Sequence, residues 1–360
     1  MHPDTLNSRG LPYDYLGKFD TDKNGVGGGD CDTAVGGLTT AGGATNLAVS
    51  SLSLANLTTN QSADHGDTFH AIANSACVQN TGVDRQWNAA DTGLGQVYVT
   101  VHDGANEIQV YSSIDGGYTY LQSGQAIDAT HLVNAEQNNH FGGLVVNPVD
   151  HKLYLAYIAP SAAGNNLPEN QVMLAVGDPC GGVAGCPPAG TPAVTTWTHH
   201  VVFTGDPATG NFAHDFPGIA VDKAGRAYVS WTDTNHMFVA HESTPGSVDA
   251  WSAPVRADST GEHSTMFPWM VGGADGNVDL VYYGSQLAPT AASCPTGASG
   301  TLGDGQGVNN RDRGHGHVDH RHQRDHLGDR AVLGRRQPGY PGPDRRQPGG
   351  EEPVCTDDRG

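Results

Sequence analysis

The chain has 360 residues, of which 50 are glycine and 21 are proline, and only 16% are charged. Helical bundles and coiled coils need charged, Ala- and Leu-rich sequence, so this composition excludes them and favours an all-β protein. Asp and Glu outnumber Lys and Arg by 38 to 18, which gives a net charge of −20. Such a surface repels nucleic acids and anionic membranes and suits a cation or a neutral ligand. No apolar run is long enough to span a membrane.

Residues 1–25 form an N-terminal segment that contains a candidate calcium loop. Its oxygen ligands stand at alternate positions, as in a calcium-binding loop: Asp20, Asp22 and Asn24. The twelfth position, where such a loop carries a bidentate acid, is Cys31, so Asp30 or Asp32 would have to replace it. An Asx-rich turn without a metal is the alternative.

A composition rich in Gly, Ser, Thr and Asn, with four lysines, is typical of an exported protein. Residues 1–4 have neither the basic start nor the apolar stretch of a signal peptide. Either the true start lies upstream or the protein is cytoplasmic; we favour the first and predict an extracellular location. Cys180 and Cys186 bracket a glycine-rich loop that a disulfide could close, and Cys31 with Cys77 is a second candidate pair.

Two octapeptides, 51 residues apart, share the pattern S-x-D-x-G-x-T-aromatic. Their patterned residues are Ser62, Asp64, Gly66 and Thr68 in the first and Ser113, Asp115, Gly117 and Thr119 in the second. This spacing predicts a hairpin turn in which the Asp carboxylate accepts backbone N–H groups and the Gly adopts a positive φ. Two copies at this distance indicate a repeated structural unit.

A second repeat runs in phase with the first, and each copy reads as a short strand, a Gly-containing turn and a strand of β-branched and aromatic residues. Its copies are centred on Trp87, Gly143, Pro217 and Trp269, and an earlier copy covers residues 30–50. Repeats of about 40–55 residues with about four short strands each are typical of β-propellers. The longest spacing, from Gly143 to Pro217, indicates an insertion. Trp87 and Trp269 are predicted to lie in the core between blades; the alternative is that a binding propeller presents them to a glycan or a surface polymer.

The octapeptides resemble the Asp boxes of bacterial neuraminidase repeats. The strands that begin at Asp84 and Phe267 are similar to those of secreted bacterial proteins of the sialidase superfamily. The resemblance covers about residues 25–290 and implies a six-bladed propeller in an extracellular setting. It does not by itself imply sialidase activity, since the family includes other hydrolases and binding propellers. We therefore predict an all-β, six-bladed β-propeller of the sialidase type over residues 26–295, incomplete at about five blades in this chain.

The last segment, residues 296–360, departs from the repeat. Ten arginines and five closely spaced histidines lie after residue 300, and strand-like runs are absent there. Three interpretations stay open: a disordered tail, a His-rich metal-binding tract, and translation out of frame. The third would leave an unclosed propeller with exposed, aggregation-prone edges.

In a propeller the residues just before each innermost strand converge on the axial mouth. Here these residues are Asp30, Asp32, Asp84, Arg85, His140, His214, Asp215 and His263. Glycoside hydrolysis needs two carboxylates on either side of the bond, so Asp32, Asp84 and Asp215 are the candidate catalytic residues. The candidate substrate-binding residues are Arg85, His140, His214 and His263. For each residue the alternative is a structural role in its own turn.

A sialidase of the usual kind, as the resemblance implies, holds its substrate with three arginines and uses a Tyr nucleophile, a Glu and an Asp acid/base. The arginines before residue 300 are Arg9, Arg85, Arg226 and Arg256, and only Arg85 is well placed. Tyr282 or Tyr283 could be the nucleophile, with a place in the strand core as the alternative.

We predict a secreted, monomeric, sialidase-like propeller that acts on or binds glycans, either as an exo-glycosidase or as a hydrolase of neutral sugars. The alternative is a non-catalytic propeller that binds carbohydrate or a cell-surface polymer. No cofactor is required beyond the candidate calcium.

Overall fold

The computed structural model describes residues 30–39, 45–53, 56–64, 66, 68–71, 83–105, 107–128, 140–162, 168–179, 195–208, 210–213, 215–259 and 261–285. These residues form eighteen β-strands in five antiparallel sheets. None of the described segments is a helix long and apolar enough to cross a membrane. The chain divides into two compact units: residues 1–125 with 179–195, and residues 126–178 with 196–360.

The first unit contains two four-stranded sheets. One consists of β1 (Cys31–Thr39), β2 (Thr45–Ser53), β3 (Asn56–Ser62) and β4 (His70–Ala71). The other consists of β5 (Asp84–Asp91), β6 (Gln96–His102), β7 (Ile108–Ser113) and β8 (Leu121–Ile127). In both, each strand pairs with the next one in the chain, and β1 packs beside β5. The core between the sheets includes Ala48, Leu57, Val97 and Val99.

The second unit contains two further four-stranded sheets and one two-stranded sheet. The first consists of β9 (His140–Val146), β10 (Leu153–Ala159), β11 (Gln171–Asp178) and β12 (Thr196–Thr204). The second consists of β13 (Gly218–Val221), β14 (Ala227–Thr232), β15 (Met237–His241) and β16 (Val255–Arg256). The third consists of β17 (Ser264–Gly272) and β18 (Val278–Ser285). Strand β13 lies between β9 and β17, so successive sheets stack through their first strands.

Two equivalent turn residues link each sheet of the second unit to the next. The Asn147 side chain, after β9, accepts the N–H of Val149 at 2.9 Å and donates to the carbonyl of Gly225 at 3.1 Å. Asp222, after β13, accepts the N–H of Gly276 in the following sheet at 2.7 Å. Both residues are buried, so these bonds hold the turns of neighbouring sheets together where water cannot compete.

The sheet β17–β18 packs through only one face. Met270 and Leu280 lie in the core shared with β13–β16. On the other face Phe267, Trp269 and Val271 are exposed, Trp269 by 48%. The prediction that Trp269 lies in a core between blades is therefore wrong for the described residues, because no described sheet follows β18 and covers it. Trp87 is half-buried.

The all-β prediction is confirmed, and four of the five described sheets are four-stranded meanders of the kind that form propeller blades. Closure into six blades stays a prediction. Cys31 is a free, exposed thiol, which contradicts its pairing with Cys77. Several other predictions fall outside the described residues: the calcium ligands Asp20, Asp22 and Asn24, the Cys180–Cys186 disulfide, His214, and the segment 296–360.

Candidate functional site

The two octapeptides form turns with the same hydrogen bonds. In the first, the Ser62 hydroxyl donates to Asp64 at 2.7 Å and accepts the N–H of Gly66 at 2.8 Å, and Asp64 accepts the N–H of Thr68 at 2.9 Å. The second repeats these bonds at 2.7, 2.9 and 2.8 Å through Ser113, Asp115, Gly117 and Thr119. Hydrogen bonds, above all from the Thr68 hydroxyl, lower the pKa of Asp64 to about 2. Both carboxylates are thus occupied in stabilising their own turns.

In the first unit, Asp32 links two strands. It accepts the backbone N–H of Asn88 in β5 at 2.6 Å, and the Asn88 amide donates to the Asp32 carbonyl at 2.7 Å. Burial raises the pKa of Asp32 to about 6, although the bond from Asn88 opposes this shift. Asp30 is exposed and lies directly before β1, and its carbonyl accepts a bond from the side chain of Gln86.

Asp84 and Arg85 begin strand β5. Asp84 is exposed and lies opposite His102 on β6, whose pKa is lowered chiefly by burial. Arg85 has a φ of 61° and lies in a bulge between Asp84 and Gln86. The bulge turns the Arg85 side chain out of the regular strand alternation.

In the second unit, His140 begins β9, Asp215 precedes β13, and His263 directly precedes β17. The starts of these strands share one edge, since Gly142 lies against Pro217 and Gly218 against Pro268. The structure therefore brings the second unit's predicted residues to a common edge, hereafter the starting edge. This is the arrangement that the phase of the repeat predicts.

Asp215 is buried and occupied by backbone groups. One carboxylate oxygen accepts the N–H of Phe216 at 2.8 Å, and the other accepts the N–H of Phe267. Phe267 has a φ of 52° and lies in the bulge of β17, so Asp215 stabilises that bulge. Asp32 and Asp215 thus both link neighbouring first strands, which is the structural alternative that the sequence left open for them.

Two buried acids at the starting edge were missed by the sequence analysis. Glu169, before β11, lies 3.9 Å from the His140 ring, and burial raises its pKa to about 8. Glu262, before β17, accepts a hydrogen bond from the Tyr282 hydroxyl at 2.8 Å. Burial also raises the pKa of Tyr282, so the phenol stays protonated, whereas a nucleophile needs the opposite shift. Neither acid precedes its strand in a recognisable motif, so no sequence signal identified them.

The described arginines of the second unit do not form a carboxylate-binding cluster. Arg226 lies in the β13–β14 turn, whereas Arg256 ends β16 at the opposite end of the same sheet. Arg256 is bound to Asp258, with its NH2 group 2.5 Å from the carboxylate. In the described part of the chain, no group of three or more His, Cys, Asp or Glu side chains could hold a metal ion.

A pocket of about 400 Å³ opens in the second unit between β12 with the loop after it and strands β14 and β15 of the next sheet. This volume lies within the range of about 300–1,000 Å³ found for small-molecule sites. We call it the aromatic pocket. It is lined by Phe203, Gly205, Asp206, Gly210, Asn211, Phe212, Trp231, Asp233, Asn235, Phe238 and Pro254.

Stacked rings form the apolar wall of the aromatic pocket. Trp231 lies between Phe203 and Phe238, with ring centroids 5.5 and 5.9 Å away and ring planes within 25° of parallel. Phe203 and Phe238 are half-buried, whereas Trp231 is only 1% exposed. The buried indole N–H of Trp231 has no hydrogen-bond acceptor among the described residues. Such orphan donors are rare in native proteins.

Polar side chains surround the mouth of the aromatic pocket. One oxygen of Asp206 accepts the N–H of Ala208 at 2.8 Å, and one oxygen of Asp233 accepts the N–H of Asn235 at 3.0 Å. The second oxygen of each carboxylate has no partner among the described residues. The amide nitrogens of Asn211 and Asn235 are likewise free to donate. The lining contains no Lys, Arg or His.

The repeat phase did not indicate this pocket, because the residues that line it lie in loops and on β12, β14 and β15 rather than before the first strands. Residues 205–212 follow β12, inside the long spacing that had indicated an insertion. That irregular spacing was the one available signal.

No family model and no curated protein matches the chain. Among solved structures, the chain is similar to a mutant Aleuria aurantia lectin in complex with alpha-methyl-L-fucoside, with 11% identity, a TM-score of 0.45, and coverage of 74% of this chain and 75% of the lectin. A Hadza microbial sialidase shares 14% identity at a TM-score of 0.45, over 73% of this chain and 54% of the sialidase. A GH43_1 enzyme from Xanthomonas citri, complexed with xylose, shares 13% identity at a TM-score of 0.35, over 73% and 83%. Similarity at this level carries no argument about function.

Proposed function

We propose that this chain is a carbohydrate-binding protein and that the aromatic pocket is its site. The observation that carries the proposal is a pocket that combines half-buried aromatic rings with unpartnered hydrogen-bonding groups. Small-molecule sites have this composition: an apolar wall for affinity and a few polar groups for orientation.

The aromatic wall suits the apolar face of a sugar ring. Phe203 and Phe238 are held by stacking on Trp231, so their positions are set before a ligand arrives. Preformed rings lose little conformational entropy on binding, which favours affinity for a small ligand.

The polar groups suit hydroxyls. A hydroxyl both donates and accepts, and the pocket offers carboxylate acceptors on Asp206 and Asp233 and amide donors on Asn211 and Asn235. Backbone bonds to one oxygen of Asp206 and of Asp233 orient the second oxygen. This arrangement supports the binding alternative over the sialidase hypothesis, which requires clustered arginines.

A second candidate function is glycoside hydrolysis with Glu169 as the proton donor. A general acid must be protonated at neutral pH, and the pKa of Glu169 is raised to about 8 beside His140. Glu169→Gln would then abolish the hydrolysis of disaccharides that the wild type cleaves, because a sugar leaving group must be protonated, while leaving binding in the aromatic pocket unchanged.

We further propose that the chain is a six-bladed propeller with Asp boxes, that it is extracellular and monomeric, and that Asp20, Asp22 and Asn24 bind calcium. Composition supports secretion, and the matching turns at Asp64 and Asp115 support the repeat.

Isothermal titration with a panel of neutral, amine-bearing and acidic mono- and disaccharides tests the binding proposal. Phe238→Leu keeps the apolar volume but removes the ring, and we expect affinity to fall by about three- to tenfold. Phe267→Leu, at an exposed Phe outside the pocket, is the matched control and should bind as the wild type does. The proposal fails if no sugar binds the wild type at millimolar concentration, or if Phe238→Leu binds unchanged.

A further inference from the structure

We propose that the aromatic pocket takes a sugar that carries a protonated amine, such as a glucosamine unit, in preference to a neutral or acidic sugar. This inference rests on the proposed function, because it concerns which glycan the same pocket accepts.

Carboxylates are the only ionisable groups in the pocket lining. Asp206 and Asp233 each direct an unpartnered oxygen that can accept a hydrogen bond from an ammonium group. An N–H of a cation bound to a carboxylate is a charge-assisted hydrogen bond, roughly twice as strong as a neutral one. An amine in place of a hydroxyl therefore gains affinity here.

The positive charge of Arg256, beside Asp233, is already paired with another carboxylate. Arg256 interacts electrostatically with Asp233, but its guanidinium is hydrogen-bonded to Asp258. The Nδ1 atom of His236 lies 3.3 Å from the Asp258 carboxylate, and the backbone N–H of His236 donates a hydrogen bond to Asp233. Arg256 thus interacts with three carboxylates, Asp258, Asp233 and Glu262, so the field at the mouth stays negative.

The same charges exclude an acidic sugar. A sialic acid carboxylate would enter a site without a lysine or arginine to receive it, and it would face two carboxylates of like charge. The chain has a net charge of −20, which adds a long-range negative field.

The amide donors of the pocket complete the description of the ligand. The side-chain amides of Asn211 and Asn235 can donate to ligand oxygens. A hexosamine supplies hydroxyl oxygens for these donors, while its ammonium group goes to the carboxylates.

The test compares three sugars that differ only in the substituent on C2 of each ring: the glucosamine dimer, its N-acetylated counterpart and the glucose dimer. Isothermal titration is run at about pH 6, below the usual pKa of an amine, with the full chain at low and high salt. The variants are Asp206→Asn and Asp233→Asn, in which an amide oxygen can still accept the turn bonds. Asp275→Asn, at an exposed carboxylate in the β17–β18 turn, is the matched control.

We expect the glucosamine dimer to bind about tenfold more tightly than the other two at low salt, which corresponds to about 1.4 kcal/mol, because an ammonium–carboxylate hydrogen bond is stronger than a neutral one. Each pocket variant should reduce that preference at least threefold, and Asp275→Asn should not. High salt should weaken the amine-bearing sugar selectively.

Equal affinity for the three sugars would overturn the amine inference and leave carbohydrate binding intact. An equal loss in Asp275→Asn would also overturn it, since the preference would then come from the acidic surface as a whole. If none of the three sugars binds the wild type, and no other sugar of the panel does, the proposed function fails and this inference fails with it.

Discussion

Replacing Asp222 by Ala should destabilise the second unit by about 4 kcal/mol. The buried carboxylate accepts four hydrogen bonds: from the backbone of Ala224 and Arg226 at 2.9 Å each, from the Tyr228 hydroxyl at 3.1 Å, and from the backbone of Gly276 at 2.7 Å. The first two donors lie at a half-exposed turn and regain water in the variant. The bond from Tyr228 holds the turn to its own sheet, whereas the bond from Gly276 joins that sheet to β17–β18. Bonds to a charged group contribute about 1.5–3 kcal/mol each.

Urea unfolding followed by tryptophan fluorescence measures this effect, since four of the five tryptophans lie in the second unit. At an m-value of about 2–3 kcal/mol/M, the midpoint should fall by more than about 1 M. Asp222→Asn keeps one acceptor oxygen and should lose about half as much stability. Asp275→Ala, at an exposed carboxylate, should change stability by less than about 0.5 kcal/mol. A loss below about 1 kcal/mol in Asp222→Ala would refute the view that this residue joins the sheets.

The two equivalent turn glycines should differ. Gly117→Ala should lower the free energy of unfolding, measured in urea, by at least about 1 kcal/mol more than Gly66→Ala does. Both glycines have a positive φ, but only at Gly117 would a Cβ come within 2.5 Å of Ala48. Equal losses of stability in the two variants would contradict this. Glu169→Gln should remove a pH dependence of the free energy of unfolding. The pKa of Glu169 is about 8 in the folded state and 4.5 in the unfolded state. Wild-type stability therefore falls as pH rises from 4.5 to 8, by at most about 1.4 kcal/mol per pH unit. Parallel stability–pH curves for wild type and variant would exclude that assignment. Trp269→Lys should reduce the binding of a hydrophobic dye and concentration-dependent self-association, since it places a charge on the exposed apolar face of β17. If the wild type associates and the variant sediments in the same way, this face is not involved.

Several features followed from the sequence because they depend on local chemistry. The Ser-x-Asp-x-Gly-x-Thr spacing defines a turn whose hydrogen bonds span only two to four residues, and both copies form the same bonds. The alternation of apolar and polar residues located the paired strands, such as β5 with β6 and β13 with β14. The repeat phase placed His140, Asp215 and His263 at the starts of neighbouring strands, since equivalent positions of stacked sheets lie along one edge.

Other features were decided only by the tertiary structure, because they depend on what packs against a residue. Trp269 has the phase of a core residue, yet its exposure depends on whether another sheet covers β17. The pKa of Glu169 is raised by burial among residues distant in sequence.

The aromatic pocket is the clearest example of the same limit. It joins Phe203 and Phe212 from one sheet and its loop to Trp231 and Phe238 from the next. No periodicity relates these positions, because the loop after β12 is an irregular part of the chain. The sequence by itself determined the strands, their turns and the order in which sheets follow one another, since each of these depends on short-range hydrogen bonds and side-chain alternation. The folded structure alone decided the shape and charge of the pocket, because these arise where β12 and the loop after it meet strands β14 and β15 of the next sheet.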